Sequence, residues 1–453
     1  MRVILVTGFF DPGARDGKLD YFKRLDVQLR TNDTRLHVLN LNTRRIPPPL
    51  NGESSPILLE KSHWLPIDRL VKPLEFHPDV VHGASIDAAC WNRSLSRERI
   101  RVLLYREHIR HVLQRVQPVL VIAWHQFFGS HYGMRSLMHE CGVPWLFAEY
   151  GPLPGTILFD REGQGAESPI VTRNDAFVAS PIDNTDLDRA TAFVKKVRDE
   201  KRTRKPQTAP GQVHKALASS SRAGRPVVFY AGQYDCRTGM VPRSLPQAEQ
   251  TSPVYSSTLD ALSHLTELAE RNDWTILFKP HPLAAPVTNN TGTIAAPDRV
   301  VNVPGANLFE CLEAADVVTT IVSQVSYMSL IWERPCVMLG RSYLTGKGCT
   351  AQPETRNAVE FAVRSAIDLG FTAEARSAWI RHVAQLLKYA VFEFDTDFSA
   401  PGLRGVDDAA GSLATVCATP DAAPFQDAST NDVTGNMHAA ARMRRLYAIL
   451  SCV

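Results

Sequence analysis

Short runs of consecutive apolar residues, each ending in a glycine, proline or charged turn, alternate along the chain with stretches of helical periodicity. Val3-Ile4-Leu5-Val6 opens the series, and Thr7-Gly8-Phe9-Phe10-Asp11-Pro12-Gly13 follows as a tight loop. Residues 35–41 predict a second strand, and the prolines at 47–49 a loop or arm. Helical spacing over 97–116 leads into Val119-Leu-Val-Ile-Ala-Trp124, an uninterrupted apolar run suited to a strand buried on both faces. A helix over 132–140 and the break Cys141-Gly142-Val143-Pro144 precede a strand at 145–148, which delivers Glu149-Tyr150-Gly151. Strand, helix, strand in this order describes a parallel α/β sheet.

A second series starts at residues 226–230 and runs through a helix at 259–271 and strands at 274–278 and 299–303. It continues with a helix at 308–315, a strand at 316–322, a helix at 327–332 and a strand at 335–339, and a helix over 373–390 closes it. Between the two series the charged run Lys195-Lys-Val-Arg-Asp-Glu-Lys-Arg-Thr-Arg-Lys205 reads as a solvated helix end and linker. The pattern divides the chain into an N-terminal Rossmann-like unit at 1–215, a C-terminal Rossmann-like unit at 222–395 and a low-complexity tail at 396–453. In that tail, residues 399–435 read as disordered, and only 437–450 regains helical character. The fold class is α/β, with two Rossmann-like domains facing a cleft.

At 453 residues the chain exceeds one ordinary core, and 44% hydrophobic with 21% charged residues describes a globular protein. The net charge of +3 supplies no global basic field, so nucleic acid is not an expected partner and any anion site must be local. Eight cysteines without a Cys-x-x-Cys pair argue against a structural zinc site or a disulfide framework and for reduced thiols. The stretch Met1-Arg-Val-Ile-Leu-Val-Thr-Gly8 reads as a strand rather than a signal peptide, and no segment approaches the roughly 20 apolar residues of a membrane helix. If the protein works at a membrane, it works from the surface.

The chemistry concentrates at predicted strand ends. The strand over 274–278 stops in Lys279-Pro280-His281-Pro282, where two prolines fix the backbone around a cation and an imidazole suited to a phosphate. Gln233 and Asp235 follow the first strand of the second series, and Ser323, Gln324 and Ser326 follow the strand at 316–322. Glu149 ends a strand of the first series and could take a proton from an acceptor hydroxyl or attack a sugar. Gly8 and His125, also at first-series strand ends, are the acceptor-side candidates, Gly8 as an open glycine turn. Gly8 and Gly13 have the glycine spacing of a Walker loop, but Ala14 and Arg15 stand where it needs Lys and Ser/Thr. Asp395-Thr396-Asp397 has the form of a metal-binding Asp-x-Asp, but its place beside the tail reads as a solvated chain end.

These motifs carry a resemblance. Glu149-Tyr-Gly-Pro-Leu-Pro-Gly-Thr-Ile-Leu-Phe-Asp160, the Gly232-Gln233 loop, Lys279-Pro-His-Pro282, and Ala315-Asp316 through Ser323 to Pro335-Cys-Val-Met-Leu-Gly340 with Tyr343, Gly348 and Thr350 together resemble the capsule polysaccharide biosynthesis proteins. That family includes the Kdo transferases of bacterial capsule export systems, and the resemblance spans about residues 119 to 350. It implies a GT-B glycosyltransferase using a CMP-Kdo-like donor with no metal and no other cofactor. Glu149 then matches the acidic position of a Glu-x-Gly motif, His281 and Pro282 the pair near the nucleotide phosphate, and Ser323 the serine before the next helix. Two positions depart from the family: Met328-Ser329 replaces its usual Glu-Ala, and Arg237 stands where an Asp often follows the Gln loop, with Asp235 two residues earlier. Catalytic candidates are therefore Glu149, Asp235 and His281; nucleotide or phosphate candidates are Gln233, Lys279, Pro282, Ser323, Gln324 and Ser326. The expected partners are a nucleotide-activated sugar, a glycan or glycolipid acceptor and the capsule export machinery, at the cytoplasmic face of the inner membrane. A CDP-glycerol-type polyol-phosphate transferase and a non-catalytic nucleotide- or sugar-binding assembly factor are the alternatives.

Overall fold

The computed structural model describes residues 2–10, 17–40, 77–218, 224–284 and 297–418. The expected loops at 11–13 and 47–49 and the helix at 437–450 lie outside them. Eleven strands in the described residues build two sheets. The first contains β1 (Arg2–Gly8), β2 (Thr34–Asn40), β3 (Leu120–Trp124), β4 (Trp145–Tyr150), β5 (Thr156–Asp160) and, from far along the chain, β11 (Val391–Glu393). The second contains β6 (Val227–Ala231), β7 (Thr275–Lys279), β8 (Val300–Asn302), β9 (Val317–Thr320) and β10 (Cys336–Met338). The α/β class with two Rossmann-like units stands.

Strand order decides where a ligand can enter. The first sheet runs β11-β5-β4-β3-β1-β2, with β1 to β4 parallel and β5 and β11 antiparallel. The chain leaves β1 toward β2 on one side and returns as β3 on the other, so the crevice lies past Gly8 and Trp124. The second sheet runs β10-β9-β6-β7-β8, all parallel, and reverses between β6 and β9, past Ala231 and Thr320. Contacts such as Gly165 N–H to Tyr343 Oη at 3.2 Å and Gln250 Nε2–H to the Ala166 carbonyl at 3.1 Å join the units.

Both sheets are covered on each face, which is why β3 is apolar throughout and β9 is buried throughout. Ile4, Val6, Ile122 and Leu146 pack on Tyr21, Phe22 and Leu25 of the helix Lys18–Arg30, while Leu5 and Val121 pack on Tyr105 and Ile109 of the helix Leu95–Val116. Tyr230 and Phe278 pack on Leu262 and Leu265 of the helix Thr258–Asn272. No helix among the described residues is long and apolar enough to cross a membrane.

The sequence-drawn limits need correction at both ends of the second unit. The helix Asn184–Asp199 starts with a capping box of Asp183 and Asp186 and buries Ala190, Phe193 and Val197. That stripe joins Phe229, Leu277 and Val318, so the segment before 215 packs on the second sheet. In return, β11 pairs antiparallel with β5, and the helix Val406–Ala418 lays Ala409, Ala410 and Leu413 against the helix Lys18–Arg30. The expected disorder over 399–435 therefore fails at 406–418. Small side chains that look like low complexity also let two helices approach closely. Asp395-Thr396-Asp397 is not a free chain end either, since Asp395 and Asp397 hold the Arg202 guanidinium at 2.9 and 3.1 Å.

Candidate active site

On the first sheet, β4 carries Glu149 to the strand end beside His125, the residue after β3. His125 takes a left-handed backbone, φ 65°, and its N–H donates to the Ala148 carbonyl at 2.8 Å. His131 Nδ1 lies 2.9 Å from the His125 carbonyl and holds that conformation. His125 Nδ1 accepts from Phe127 N–H at 3.3 Å, so the neutral ring carries its proton on Nε2, 3.7 Å from Glu149 Oε1. Burial, then the charges of Arg237 and Arg204, push the His125 pKa well down, and the ring is neutral. The Glu149 side chain is 25% exposed on the cleft floor. Burial pushes its carboxyl up to about 7, with Arg204 and Arg237 pulling the other way and Asp160 adding to the rise.

Across the cleft β7 ends in Lys279, and the turn after it holds His281. Gly232 permits this arrangement: a Cβ there would sit 3.3 Å from Pro280 Cα and 3.1 Å from the Phe278 ring, so only glycine brings the two loops together without displacement. The Tyr234 ring lies 6.1 Å from that of His281, nearly parallel to it. His281 Nδ1 accepts from Leu283 N–H at 3.1 Å, which leaves the protonated Nε2 as its free donor. Burial, followed by Lys205, Arg204, Lys279 and Arg237, lowers the His281 pKa to about 4. At neutral pH His281 is neutral, and Lys279, its own pKa lowered by burial, carries the charge. The charges of Arg204 and Arg237 act on both Glu149 and His281.

The other expected site residues divide differently. Gln233 and Asp235 brace the second sheet's edge: Gln233 Oε1 accepts from Val322 N–H at 2.9 Å, and its Nε2–H donates to Asp235 Oδ1 at 3.2 Å. Asp235 accepts from Thr258 N–H at 2.9 Å and from its hydroxyl at 2.7 Å, so both carboxyl oxygens are engaged at the start of a helix. Ser323 Oγ accepts from Val325 N–H at 3.3 Å, and the buried Ser326 hydroxyl donates to the Ser323 carbonyl at 2.8 Å. Gln324 Nε2–H reaches the Gly151 carbonyl in the other unit. Pro282 is exposed in the turn. Gly8 is not an open turn, because a Cβ there would meet the Phe10 ring at 2.7 Å and Trp124 Cβ at 2.9 Å. It is a packing glycine.

Three cleft cations escaped the sequence reading. Arg204 lies 4.1 Å over the Tyr150 ring, Lys205 follows it, and Arg237 lies 4.7 Å over Phe128. Arg204 and Lys205 belong to the run expected to be solvated and both are exposed, yet past the helix end at Asp199 the chain carries Arg204 over the Tyr150 ring. Two signals were present in the sequence: the acidic residues of that run stop at Glu200, and Arg237 replaces a family Asp. Among the described residues no group of three or more His, Cys, Asp or Glu could hold a metal ion.

Residues 249–376 match the sequence model of the family "Capsule polysaccharide biosynthesis protein", which bears out the resemblance over that stretch. A search of curated proteins gives no match. Among solved structures, the chain is similar to the β-Kdo 2,7-transferase of Thermosulfurimonas dismutans KpsC, with 17% identity over 70% of this chain and 96% of that one and a TM-score of 0.42. The β-Kdo 2,4-transferase of the same organism's KpsC gives 16% identity, 59% and 79% coverage and a TM-score of 0.41. The Methanocaldococcus jannaschii UDP-GlcNAc 2-epimerase, solved with UDP-GlcNAc and UDP, gives 11% identity, 85% and 99% coverage and a TM-score of 0.37.

Proposed function

We propose that this chain, which carries the capsule polysaccharide biosynthesis pattern over residues 249–376, is a glycosyltransferase of surface-polysaccharide synthesis. It moves a Kdo-like sugar from a CMP- or similar nucleotide-activated donor to a glycan or glycolipid acceptor. The observation that carries the reading is Glu149, a carboxyl with a pKa of about 7 at the first sheet's crevice, under the Arg204 and Arg237 charges that also act on His281 of the second unit. A base with a pKa near neutral pH combines a useful proton affinity with a substantial ionised fraction. The same carboxylate could attack the anomeric carbon and hold the sugar as a covalent adduct. Lys279 supplies charge and His281 Nε2–H a hydrogen bond to the phosphate that departs, stabilising negative charge as it develops. No step in this scheme calls on a metal or another cofactor. The protein acts at the cytoplasmic face of the inner membrane, from the surface, beside the export machinery.

The test is donor turnover by the full chain with CMP-Kdo and with CDP-glycerol. His281→Ala is expected to abolish turnover while the circular dichroism spectrum is kept; unchanged activity would sink the proposal. Consumption of CDP-glycerol alone would favour the polyol-phosphate transferase, and nucleotide binding without turnover of either donor a binding protein. A glycosyl adduct trapped on Glu149 would separate double displacement from base catalysis.

A further inference from the structure

Several arginines of this fold that are partly withdrawn from water pair with carboxylates. Arg101 pairs with Asp87 and Glu98, Arg106 with Glu140, Arg135 with Glu167 at 2.7 Å and Arg202 with Asp395 at 2.9 Å. The half-buried Arg237 departs from that pattern, and the exposed Arg204 stands with it: among the described residues neither has a carboxylate within 4.0 Å, and neither guanidinium donates a hydrogen bond. The Nε of Arg237 is buried without a partner. Aromatic faces hold both groups in place instead. Arg204 lies over Tyr150, the neighbour of Glu149, and Arg237 over Phe128, whose ring is 5.3 Å from that of His125. One cation comes from the linker and the other from the second unit, yet both rest on first-unit rings flanking His125 and Glu149.

Lys205 stands next to them, and its proton affinity falls through burial and then through Arg204 and Arg237. Arg204 and Lys205 are exposed and Arg237 is half-buried, and the mutual repulsion of three like charges beside one another is relieved by an anion bound between them. Glu149 cannot neutralise them fully, since it is itself half protonated near pH 7. Fixed guanidinium groups with free donors match the planar oxygens of a carboxylate or the face of a phosphate. We propose that Arg204, Lys205 and Arg237 form an oxyanion subsite that takes a second anionic group of the substrate, separate from the phosphate met by Lys279 and His281. The identity of that substrate rests on the transferase reading; the subsite rests on the cations alone. The oxyanion is either a carboxylate on the transferred sugar or a phosphate on the acceptor.

The experiment titrates the full chain with glucuronate, inorganic phosphate and CMP, and repeats this in Arg204→Gln/Arg237→Gln and in Lys279→Gln. Glucuronate or phosphate is expected to bind the wild-type protein and to lose about tenfold or more in the double arginine variant, the weight of one charge-assisted contact. CMP should weaken mainly in Lys279→Gln. Loss of glucuronate identifies the sugar carboxylate as the source, and loss of phosphate alone identifies the acceptor. Equal loss of CMP in both variants, or no arginine-dependent binding of either anion, overturns the subsite. CMP that binds nowhere sinks the donor reading and leaves the glucuronate and phosphate titrations standing. A thermal melt separates a structural role: removing unpaired cations should hold or raise Tm at low salt, whereas structural arginines would lower it.

Discussion

Glu149 and His281 are displaced in opposite directions by one cause, because burial penalises whichever form is charged. For Glu149 the folded value of about 7 lies above the ordinary 4.5, so its contribution to stability is present below about pH 4.5 and is lost as pH rises through 7. Glu149→Gln should therefore abolish turnover and still melt higher than the wild type at about pH 8, by on the order of 2 kcal/mol, the gain fading toward about pH 4. A variant that loses activity and also melts lower at both pH values would remove Glu149 from this role. The kcat/KM profile should show an acid limb near pH 7. Arg204→Gln should move that limb to higher pH, because the cation that favours the carboxylate is gone. Both residues were legible in the sequence, each at the end of an apolar run. Their protonation was not, since it depends on Arg204 and Arg237 arriving from distant segments.

Among elements, the turn Asp235–Arg237 shows how neighbouring residues separate in role. Asp235 ties β6 to the helix Thr258–Asn272, and Arg237, two residues on, points its cation across the cleft toward Phe128. Asp235→Asn should cost about 1 to 2 kcal/mol of stability, as expected for a lost helix-start acceptor, with CMP affinity unchanged. Chemical denaturation and a CMP titration check the two halves of that statement, and lost turnover at full stability would return Asp235 to the catalytic set. Parallel strands were readable because burial on both faces leaves continuous apolar runs. β5 was passed over because it lies within the Gly- and Pro-rich segment after Glu149, and β11 because it has three residues and gains its meaning only from pairing with β5. The charged run at 195–205 reads as a solvated helix end and linker, and the stripe of Ala190, Phe193 and Val197 before it, which seats the helix Asn184–Asp199, is hidden among charged residues.

At the scale of the whole molecule, the chain threads its two units through each other. The segment before 215 lies on the second sheet, and β11 with the helix Val406–Ala418 returns to the first. A chain ended after Ala390 should thus fail in its first unit, exposing the β5 edge and the buried faces of Tyr21 and Phe22. Limited proteolysis is expected to cut early within residues 2–160 of that truncated chain and to spare the second sheet; an unchanged digestion pattern would show that the return segment is dispensable. What the sequence by itself determined was the α/β class, the parallel strands and the strand-end placement of Glu149, Lys279 and His281, because periodicity and turn chemistry are local properties of the chain. Only the tertiary structure decided which helix covers which sheet, that Gly8 is packed shut, that Gln233 and Asp235 are braces, and that Arg204 and Arg237 bring their charges to bear on Glu149. Those outcomes depend on contacts between residues tens to hundreds of positions apart, and on the free energy of bringing unpaired charges into one cleft, which no local pattern encodes.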